Sequence, residues 1–449
     1  MCFSSLFAVV ATCSAGVRLV LGPEHVVVQG MRPEEHMWGP YQFPRPYNLG
    51  DRLVVSVHVS DDDIKNYGDP CRWYESRDMG VTWHETDPEN APRFGLLLPD
   101  GDRLSFPQQS AINLDSYTMT PIDYYTPGYD FDADPQSGVL PIPDGITYWM
   151  WGSEIRAYRA DRLPEPLCRS EWTAERLKAG SDKVIEEKVP VEWPSLTRVV
   201  HTQNGRSVMK ALFPRGDLKI GPDGALWITA FSGEGHINPA NGQYSPYYSA
   251  EIFRSEDGGR SFRQHAHMEY PADGDKYPYL SGGFSDSDIA WMPDGSMLWM
   301  FRSNWFASTG EEWSPMYWSR STDMGLTWSK PEIFSEIGTL PRLVAMPCGT
   351  TLVCYARPGT FICASLDDSG TQWTEPLEVM TAGDRSSLAN IPPQGAATFH
   401  QWAGSCNNPE LLVIGNNKAL IFYSDFYYPD SEGVKRKTIL CRTVYVEKD

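Results

Sequence analysis

The stretch that decides the fold is MPDGSMLWMFR (292–302) together with STDMGLTW (321–328). The first segment sets a Pro-Asp-Gly turn before an apolar run. This order is typical of a tight β-hairpin, because Gly adopts a positive φ and Asp bonds to the turn backbone. The second segment has the frame Ser-x-Asp-x-Gly-x-Thr/Ser-Trp/Phe. Both patterns recur along the chain, which indicates repeated β-sheet units.

The hairpin pattern occurs seven times. Its copies are NLGDRLVVSVH (48–58), LPDGDRLSF (98–106), IPDGITYWMW (142–151), GPDGALWITAF (221–231), MPDGSMLWMFR (292–302), MPCGTTLVCYAR (346–357) and IGNNKALIFYS (414–424). Seven hairpins favour seven sheet units. The short spacing between Pro99 and Pro143 leaves six units open, with one hairpin as an insertion.

The second pattern occurs four times, and we name its copies the Ser-x-Asp turns. They are SRDMGVTW (76–83), SEDGGRSF (255–262), STDMGLTW (321–328) and SLDDSGTQW (365–373), the last with Gly and Trp one place late. We expect the Asp to cap turn N–H groups, the Gly to be left-handed and the aromatic ring to fold back onto the sheet. This structural role is favoured over metal binding by the Asp residues.

The four turns resemble the Asp-box (BNR) repeats of sialidase-like β-propellers, a superfamily of sialidases, other exo-acting glycosidases and some polysaccharide lyases. The resemblance covers residues 40–430. It implies an all-β, six- or seven-bladed β-propeller, with seven favoured, built from four-stranded antiparallel blades. We expect the end segments 17–30 and 438–448 to pair and close a single domain over residues 17–449.

Three segments are predicted to differ from this repeat. Residues 1–16 are interpreted either as a weak export signal, for a secreted or periplasmic protein, or as a strand in a cytoplasmic one. Residues 171–189 are predicted to form a polar helical insertion ended by Pro190, and residues 107–140 a long loop. No apolar run reaches the roughly 20 residues of a membrane span, so no membrane insertion is expected.

The amino-acid composition limits which classes of molecule the protein is expected to bind. A formal net charge of -20 disfavours nucleic acid and anionic membranes, while 16 Trp, 22 Tyr and 18 Phe supply sugar-stacking surface. The nine Cys residues show no zinc-type spacing. No cofactor or catalytic metal is expected, and a structural calcium in the acidic loop 129–134 is the one metal interpretation left open.

The turn pattern also predicts a functional face. If the Pro-Asp-Gly turns join first and second strands, and the Ser-x-Asp turns join third and fourth strands, both sets lie on one rim. Residues before the first strands or after the second strands then meet on the opposite face. The substrate-binding side chains predicted there are Arg45, Arg215, Asp286, Asp288, Arg302, Arg342 and Arg357, with Asp217 and Glu410 on the same face. Several guanidinium groups together can grip one sugar carboxylate.

Some of the site residues implied by the resemblance to sialidases have counterparts in this sequence, and others do not. Phe43-Pro44-Arg45-Pro46 occupies the place of the sialidase Arg-Ile-Pro without matching it letter for letter. Asp62 and Asp63 stand before Ser76 at the distance at which sialidases carry their acid/base Asp, and desolvation would equip either one to protonate a leaving oxygen. No motif assigns the nucleophile among Tyr244, Tyr247, Tyr248, Tyr423 and Tyr427.

Three functions are consistent with this pattern. The favoured one is an exo-acting glycoside hydrolase on an acidic or deoxy sugar, with Asp62 or Asp63 as the acid. The second is a polysaccharide lyase on a uronate-containing glycan, with His236 and a nearby tyrosine such as Tyr248 as catalytic groups. The third is a glycan-binding propeller without catalysis, with stacking platforms at Trp305, Trp313 and Trp402. In each case the partner is a glycan.

Overall fold

The structure is a computed structural model, and its description covers most of the chain. The described residues are 16–35, 40–60, 69–87, 95–107, 109, 112–125, 139–152, 154–168, 170–194, 197–203, 206–209, 213–214, 217–232, 235–237, 242, 244–245, 247–270, 281–305, 315–356, 359–380 and 408–448. Within them, nearly all regular structure is β-strand. The helical elements are two 3-10 turns, Leu114–Ser116 and Ala160–Arg162, and one α-helical turn, Glu165–Cys168.

The strands are numbered in chain order. The first half contains β1 (Val17–Gln29), β2 (Gln42–Asn48), β3 (Leu53–His58), β4 (Arg72–Ser76), β5 (His84–Thr86), β6 (Leu96–Leu97), β7 (Arg103–Ser105), β8 (Ile112–Asn113), β9 (Asp123–Tyr125), β10 (Ile146–Trp151), β11 (Glu154–Arg159), β12 (Glu171–Leu177), β13 (Val184–Glu192), β14 (Thr197–Gln203), β15 (Arg206–Met209), β16 (Phe213–Pro214) and β17 (Lys219–Ile220). The second half contains β18 (Leu226–Phe231), β19 (His236–Ile237), β20 (Tyr244–Ser245), β21 (Ala250–Ser255), β22 (Phe262–Met268), β23 (Ser281–Trp291), β24 (Met297–Trp305), β25 (Met316–Ser321), β26 (Glu332–Ser335), β27 (Thr339–Ala345), β28 (Thr351–Ala356), β29 (Thr360–Ala364), β30 (Leu377–Met380), β31 (Glu410–Gly415), β32 (Lys418–Pro429) and β33 (Lys435–Lys448).

The strands pair into antiparallel four-stranded units, which we name blades. Blade 1 is β2–β3–β4–β5, blade 2 is β6–β7–β12–β13, blade 3 is β18–β21–β22 with β16 and β17 together as its first strand, blade 4 is β23–β24–β25–β26, blade 5 is β27–β28–β29–β30, and blade 6 is β31–β32–β33–β1. In blade 6 the N-terminal strand pairs with the C-terminal one, from Val17 opposite Lys448 to Gln29 opposite Thr438.

The apolar cores lie between successive blades. Separate buried clusters join blades 2 and 3, 3 and 4, 4 and 5, 5 and 6, and 6 and 1. The cluster between blades 3 and 4, for example, packs Trp227 with Trp299 and Phe301. Each blade thus buries its faces against its neighbours, which is the packing of a β-propeller. The all-β propeller predicted from the sequence is confirmed.

Both predicted turn types sit where the repeat requires them. The Pro-Asp-Gly turns of the blades join first and second strands; in the 221–225 turn, Gly224 has φ +79° and donates its N–H to the carbonyl of Gly221. The Ser-x-Asp turns join third and fourth strands. In the first of them Thr82 donates its backbone N–H (2.9 Å) and its hydroxyl (2.6 Å) to Asp78. These bonds lower the pKa of Asp78 to about 2, so its carboxylate is satisfied within the turn.

The favoured count of seven blades is not confirmed, since the described strands form six four-stranded units. The hairpin at Pro143 belongs to a separate six-stranded sheet with the order β8–β15–β14–β10–β11–β9. In this extra sheet β10 pairs in parallel with β14, which returns the chain toward blade 3. Four of its strands, β8 to β11, are inserted between the second and third strands of blade 2, and the other two, β14 and β15, follow blade 2. The turn signal at Pro143 therefore did not mark a further blade.

The predicted helix over residues 171–189 is wrong. The segment forms β12 and most of β13, which pair from Glu171 opposite Pro190 to Leu177 opposite Val184. Alternate residues of β12 are buried, including Trp172 and Ala174, and the third is Arg176. A buried arginine interrupts the apolar alternation that identifies a strand in sequence. Its charge is compensated by Glu187, whose carboxylate accepts a hydrogen bond at 2.8 Å.

The predicted long loop over residues 107–140 contains short elements in its described part: β8, a 3-10 turn and β9. The acidic loop 129–134 and residues 1–15 lie outside the described residues. In the described part of the chain, no helix has the length and apolar character needed to cross a membrane.

Candidate functional site at the channel mouth

The first strands of blades 1 and 5 carry the same local feature. Phe43-Pro44-Arg45 and Leu340-Pro341-Arg342 each contain a left-handed apolar residue, with φ +51° at Phe43 and +54° at Leu340. In both strands the pairing register shifts across this triplet, between Gln42 and Arg45 and between Thr339 and Arg342. A β-bulge of this kind re-aims the side chain that follows it.

Arg342 is buried and paired with an acid from the next blade. Its Nε donates to Glu410 Oε1 at 2.6 Å, which joins blade 5 to blade 6. Glu410 is buried as well, and burial raises its pKa to about 8 against the lowering influence of Arg342. Glu410 is therefore a carboxyl group that can hold its proton near neutral pH.

Asp288 and Lys219 form a second charged group that joins three blades. The Lys219 ammonium donates to Asp288 at 2.8 Å and to the carbonyl oxygens of Ile289 (2.6 Å) and Leu343 (2.8 Å). Asp288 also accepts the backbone N–H of Leu343 at 2.8 Å. With all these bonds made within the protein, the predicted substrate-binding residue Asp288 holds blades 3, 4 and 5 together.

A cavity of about 430 Å³ opens where blades 1, 2, 3 and 6 face one another. Three predicted face residues, Arg45, Asp217 and Glu410, line it. Arg45 is half-buried and donates to the carbonyl of Phe106 at 3.3 Å. The site therefore brings together residues that are far apart in the sequence, as the turn pattern predicts.

The cavity combines acids with an excess of basic groups. Arg45, Arg103 and Lys219 line it beside Asp217 and Glu410. Lys219 is balanced by Asp288, and the raised pKa of Glu410 favours its neutral form, so Arg45 and Arg103 against Asp217 leave a positive local charge on a chain of formal charge -20. Such a site can attract a small anion even though the protein as a whole repels one.

Arg302 and Asp286 form a pair of their own. Arg302 Nη1 donates to Asp286 Oδ2 at 3.0 Å, across the neighbouring strands β24 and β23 of blade 4. Neither residue is among those that line the cavity. The structure thus separates this pair from Arg45 and Glu410, although the sequence placed all four on one face.

His236 lies on the short strand β19, which pairs with β20 outside the blades, and Tyr248 lies just before β21 of blade 3. His236 is buried, with Nδ1 3.1 Å from the carbonyl oxygen of Tyr247 and Nε2 3.3 Å from Glu269 Oε1. Tyr248 forms a parallel bridge with Gly283, and its ring packs edge-on against Phe231. The ring contact and the backbone bridge set the position of Tyr248, and its catalytic assignment stays a prediction.

A second histidine lies beside His236. The His267 and His236 ring centroids are 5.3 Å apart, and His267 contacts Glu251 at 2.9 Å and Glu269 at 3.2 Å. Burial disfavours its charged form, but the two glutamates outweigh that effect and raise the pKa of His267 to about 10. Hydrogen bonds from both histidines hold the pKa of Glu269 well below its usual value.

Several predicted site residues lie outside the described residues. They are Asp62, Asp63, Arg215 and Arg357, together with Trp313, Trp402 and the side chain of Trp305. Their roles stay predictions.

Two basic residues that line the cavity, Lys219 and Arg103, are not among the residues predicted from the sequence. Lys219 precedes the Gly-Pro-Asp-Gly turn on the short strand β17, and Arg103 follows the turn of blade 2. Both stand beside turns that had been assigned to the opposite rim, so the rule that selected residues before first strands passed over them. For Lys219 the available signal was its place between two apolar residues, Leu218 and Ile220.

Comparison with known proteins returns structural matches only. No family model and no curated protein matches the chain. A Dyadobacter fermentans protein of unknown function is 15% identical, with a TM-score of 0.56 over 96% of this chain and 100% of that one. The two proteins share a fold.

Two similar structures have named activities. The Hadza microbial sialidase Hz136 is 15% identical with a TM-score of 0.44 over 91% of this chain and 66% of that one. A Penicillium chrysogenum alpha-L-arabinanase complexed with arabinobiose is 13% identical with a TM-score of 0.46 over 94% of this chain and 98% of that one. At these identities the likeness concerns the fold, and the chemistry has to be argued from the site.

Proposed function

We propose that this chain is an exo-acting glycoside hydrolase of the sialidase-like kind, which acts on an acidic or deoxy sugar at the channel mouth. The observation that carries the proposal is the convergence of Arg45, Asp217 and Glu410, from three different blades, on one cavity. A cavity shaped by several blades is the usual place for a ligand in a ring-shaped fold.

The charge of the cavity suits an anionic sugar. Arg45 has a planar guanidinium that can bind a carboxylate through two parallel hydrogen bonds, and Arg103 adds positive charge. The volume of about 430 Å³ falls in the range of small-ligand pockets. It suits one terminal sugar better than an extended chain, which supports exo action.

The two carboxyl groups of the cavity suit hydrolysis. A glycosidase needs one protonated carboxyl group to donate to the leaving oxygen and one carboxylate to act as base or nucleophile. Burial keeps Glu410 protonated near neutral pH, while Asp217 is exposed. We assign Glu410 as a candidate acid beside Asp62 and Asp63, and Asp217 as its candidate partner.

The test is incubation with a panel of sialosides, rhamnosides and uronate-rich polysaccharides, with reducing ends and near-ultraviolet absorbance recorded together. Hydrolysis releases reducing ends without absorbance. If Glu410 is the acid, Glu410→Gln lowers kcat by about a hundredfold or more. The matched control is Glu432→Gln, an exposed acid in the turn before β33, which we expect to leave kcat unchanged.

The other outcomes separate the alternatives. Loss of turnover in Asp62→Asn or Asp63→Asn, with Glu410→Gln fully active, would move the acid to the sequence-based position. An absorbing unsaturated product would replace hydrolysis by elimination and direct attention to His236 and Tyr248. Binding of a panel glycan without any turnover would establish a glycan-binding propeller and overturn the enzymatic proposal.

A further inference from the structure

The strongest unassigned feature is a cluster of metal-ligating side chains between blade 3 and the β19–β20 hairpin. His236 Nε2, His267 Nε2 and Glu269 offer one ligand atom each, and these atoms lie within 4.8 Å of one another. His236 belongs to the short strand β19, whereas His267 and Glu269 lie at the end of β22, the outer strand of the blade. The cluster therefore joins a short hairpin, β19–β20, to the blade beside it.

The hydrogen bonds fix the orientation of both rings. His236 Nδ1 faces the carbonyl oxygen of Tyr247 at 3.1 Å, and a carbonyl only accepts, so we assign the ring proton to Nδ1. His267 Nδ1 likewise faces Glu251 at 2.9 Å. Binding of a cation displaces any proton from Nε2 of each ring, and both Nε2 atoms then direct a lone pair toward the same side of Glu269 Oε1. A carbonyl or carboxylate behind each ring is the usual support of a metal-bound histidine.

The distances also match those between two ligand atoms of one metal ion. The Nε2 atoms lie 3.3 and 3.2 Å from Glu269 Oε1. Charge-assisted hydrogen bonds are shorter, about 2.7–2.9 Å. A tetrahedral zinc with bonds of about 2.0–2.1 Å holds neighbouring ligand atoms about 3.3 Å apart. Both histidine nitrogens lie at this distance from Glu269, and all three ligand atoms lie within 4.8 Å of one another, which leaves room for one cation between them.

The charges of the cluster and its exposure to solvent are also consistent with a bound metal ion. Glu251 is buried and also accepts the hydroxyl of Ser249 at 2.9 Å, so it is held firmly behind His267. Glu251 and Glu269 together supply two negative charges, which one dication balances. The His267 and Glu269 side chains are 34% and 43% exposed, so a fourth ligand position would face solvent.

We propose that His236, His267 and Glu269 bind one divalent transition-metal ion of the zinc class, with Glu251 and the Tyr247 carbonyl as supporting groups and one position left for water. Two imidazoles and one carboxylate form a ligand set that proteins use for zinc. The ion would fasten the β19–β20 hairpin to the outer strand of blade 3. This inference does not depend on the proposed hydrolase activity.

The test uses the full-length chain with any affinity tag removed. Elemental analysis after gel filtration, and zinc titration after dialysis against dipicolinate, measure stoichiometry and Kd. We expect about one zinc per chain and a higher Tm with zinc than without it. Cobalt(II) replacement is expected to give the strong visible bands of a tetrahedral site.

The variants are chosen to separate ligands from supporting groups. Glu269→Gln and His267→Gln are expected to lose zinc binding, and Glu251→Gln to weaken it roughly 10–100-fold. His84→Gln, an exposed histidine on β5 of blade 1, is the matched control and keeps wild-type affinity. Circular dichroism and Tm in chelator identify any variant that fails to fold; Glu269 is half-exposed, so its variant is the safer one.

Either of two results overturns the proposal. One is a wild-type chain that binds no stoichiometric zinc or cobalt after removal of the chelator. The other is wild-type affinity in folded Glu269→Gln and His267→Gln.

Discussion

The first strands of blades 1 and 5 share the same local backbone, but their arginines have different surroundings. Both contain an apolar-Pro-Arg triplet, a left-handed residue before the proline and a register shift across the triplet. Arg342 is buried against Glu410, whereas Arg45 is half-buried and lines the cavity. The triplet thus sets the backbone and the direction of the arginine. The neighbouring blade decides whether that arginine stabilises the ring or is available to a ligand.

The largest expected difference is in stability. Arg342→Met leaves Glu410 buried without the guanidinium that donates to it, and the loss of a hydrogen bond that involves a charged group costs about 1.5–3 kcal/mol. Arg45→Met removes one hydrogen bond to a carbonyl, a loss of about 1 kcal/mol. Urea unfolding followed by tryptophan fluorescence measures both. The double variant Arg342→Met/Glu410→Leu should regain most of the loss, and equal losses in the two single variants would contradict the comparison.

The buried pair also predicts how stability depends on pH. The pKa of Glu410 is about 8 in the folded protein against an ordinary value of 4.5. A raised pKa means that its contribution is complete below pH 4.5 and is lost as the pH rises toward 8. Glu410→Gln should therefore flatten this part of the unfolding profile, by an amount on the order of a few kcal/mol.

The control for the pH experiment is Glu432→Gln, in an exposed turn. It should keep the slope of the wild-type profile. A Glu410→Gln profile as steep as that of the wild type would show that Glu410 does not carry the dependence.

The next effect concerns ligand binding and tests the role of Arg45. If Arg45 holds a sugar carboxylate, Arg45→Ala should weaken binding of an acidic ligand from the panel by roughly 10–100-fold, the value of one or two charge-assisted hydrogen bonds. Binding of a neutral ligand should change little. Isothermal titration measures both, with Arg72→Ala on the exposed part of β4 as the control. Equal losses for acidic and neutral ligands would exclude a carboxylate-binding role.

The smallest expected effect isolates the burial of the apolar residue in each triplet. Phe43→Gly and Leu340→Gly both relieve a left-handed conformation, worth about 1–2 kcal/mol. Leu340 is 4% exposed, whereas Phe43 is only partly buried. Leu340→Gly should therefore be the less stable variant, by about 1 kcal/mol in urea unfolding. The reverse order would show that strain, and not burial, differs between the two strands.

Local patterns in the sequence predicted the turns well. The Ser-x-Asp turns work because Asp78 and Thr82, or Asp323 and Thr327, are four residues apart and meet within one turn. The same logic fails for residues 171–189, where Arg176 occupies an inward position and hides the strand period. It also fails at Pro143, because a hairpin signal looks the same in a blade and in the extra sheet.

The sequence by itself determined the repeated turns, the propeller and the face on which Arg45, Asp217 and Glu410 lie. Only the tertiary structure decided which of the charged residues meet. Arg342 bonds to Glu410, which lies 68 positions later in the chain, and Lys219 bonds to Asp288, which lies 69 positions later. A turn is set by hydrogen bonds between close neighbours in sequence. Contacts at the channel depend on how whole blades pack around the ring, and no short segment encodes that packing.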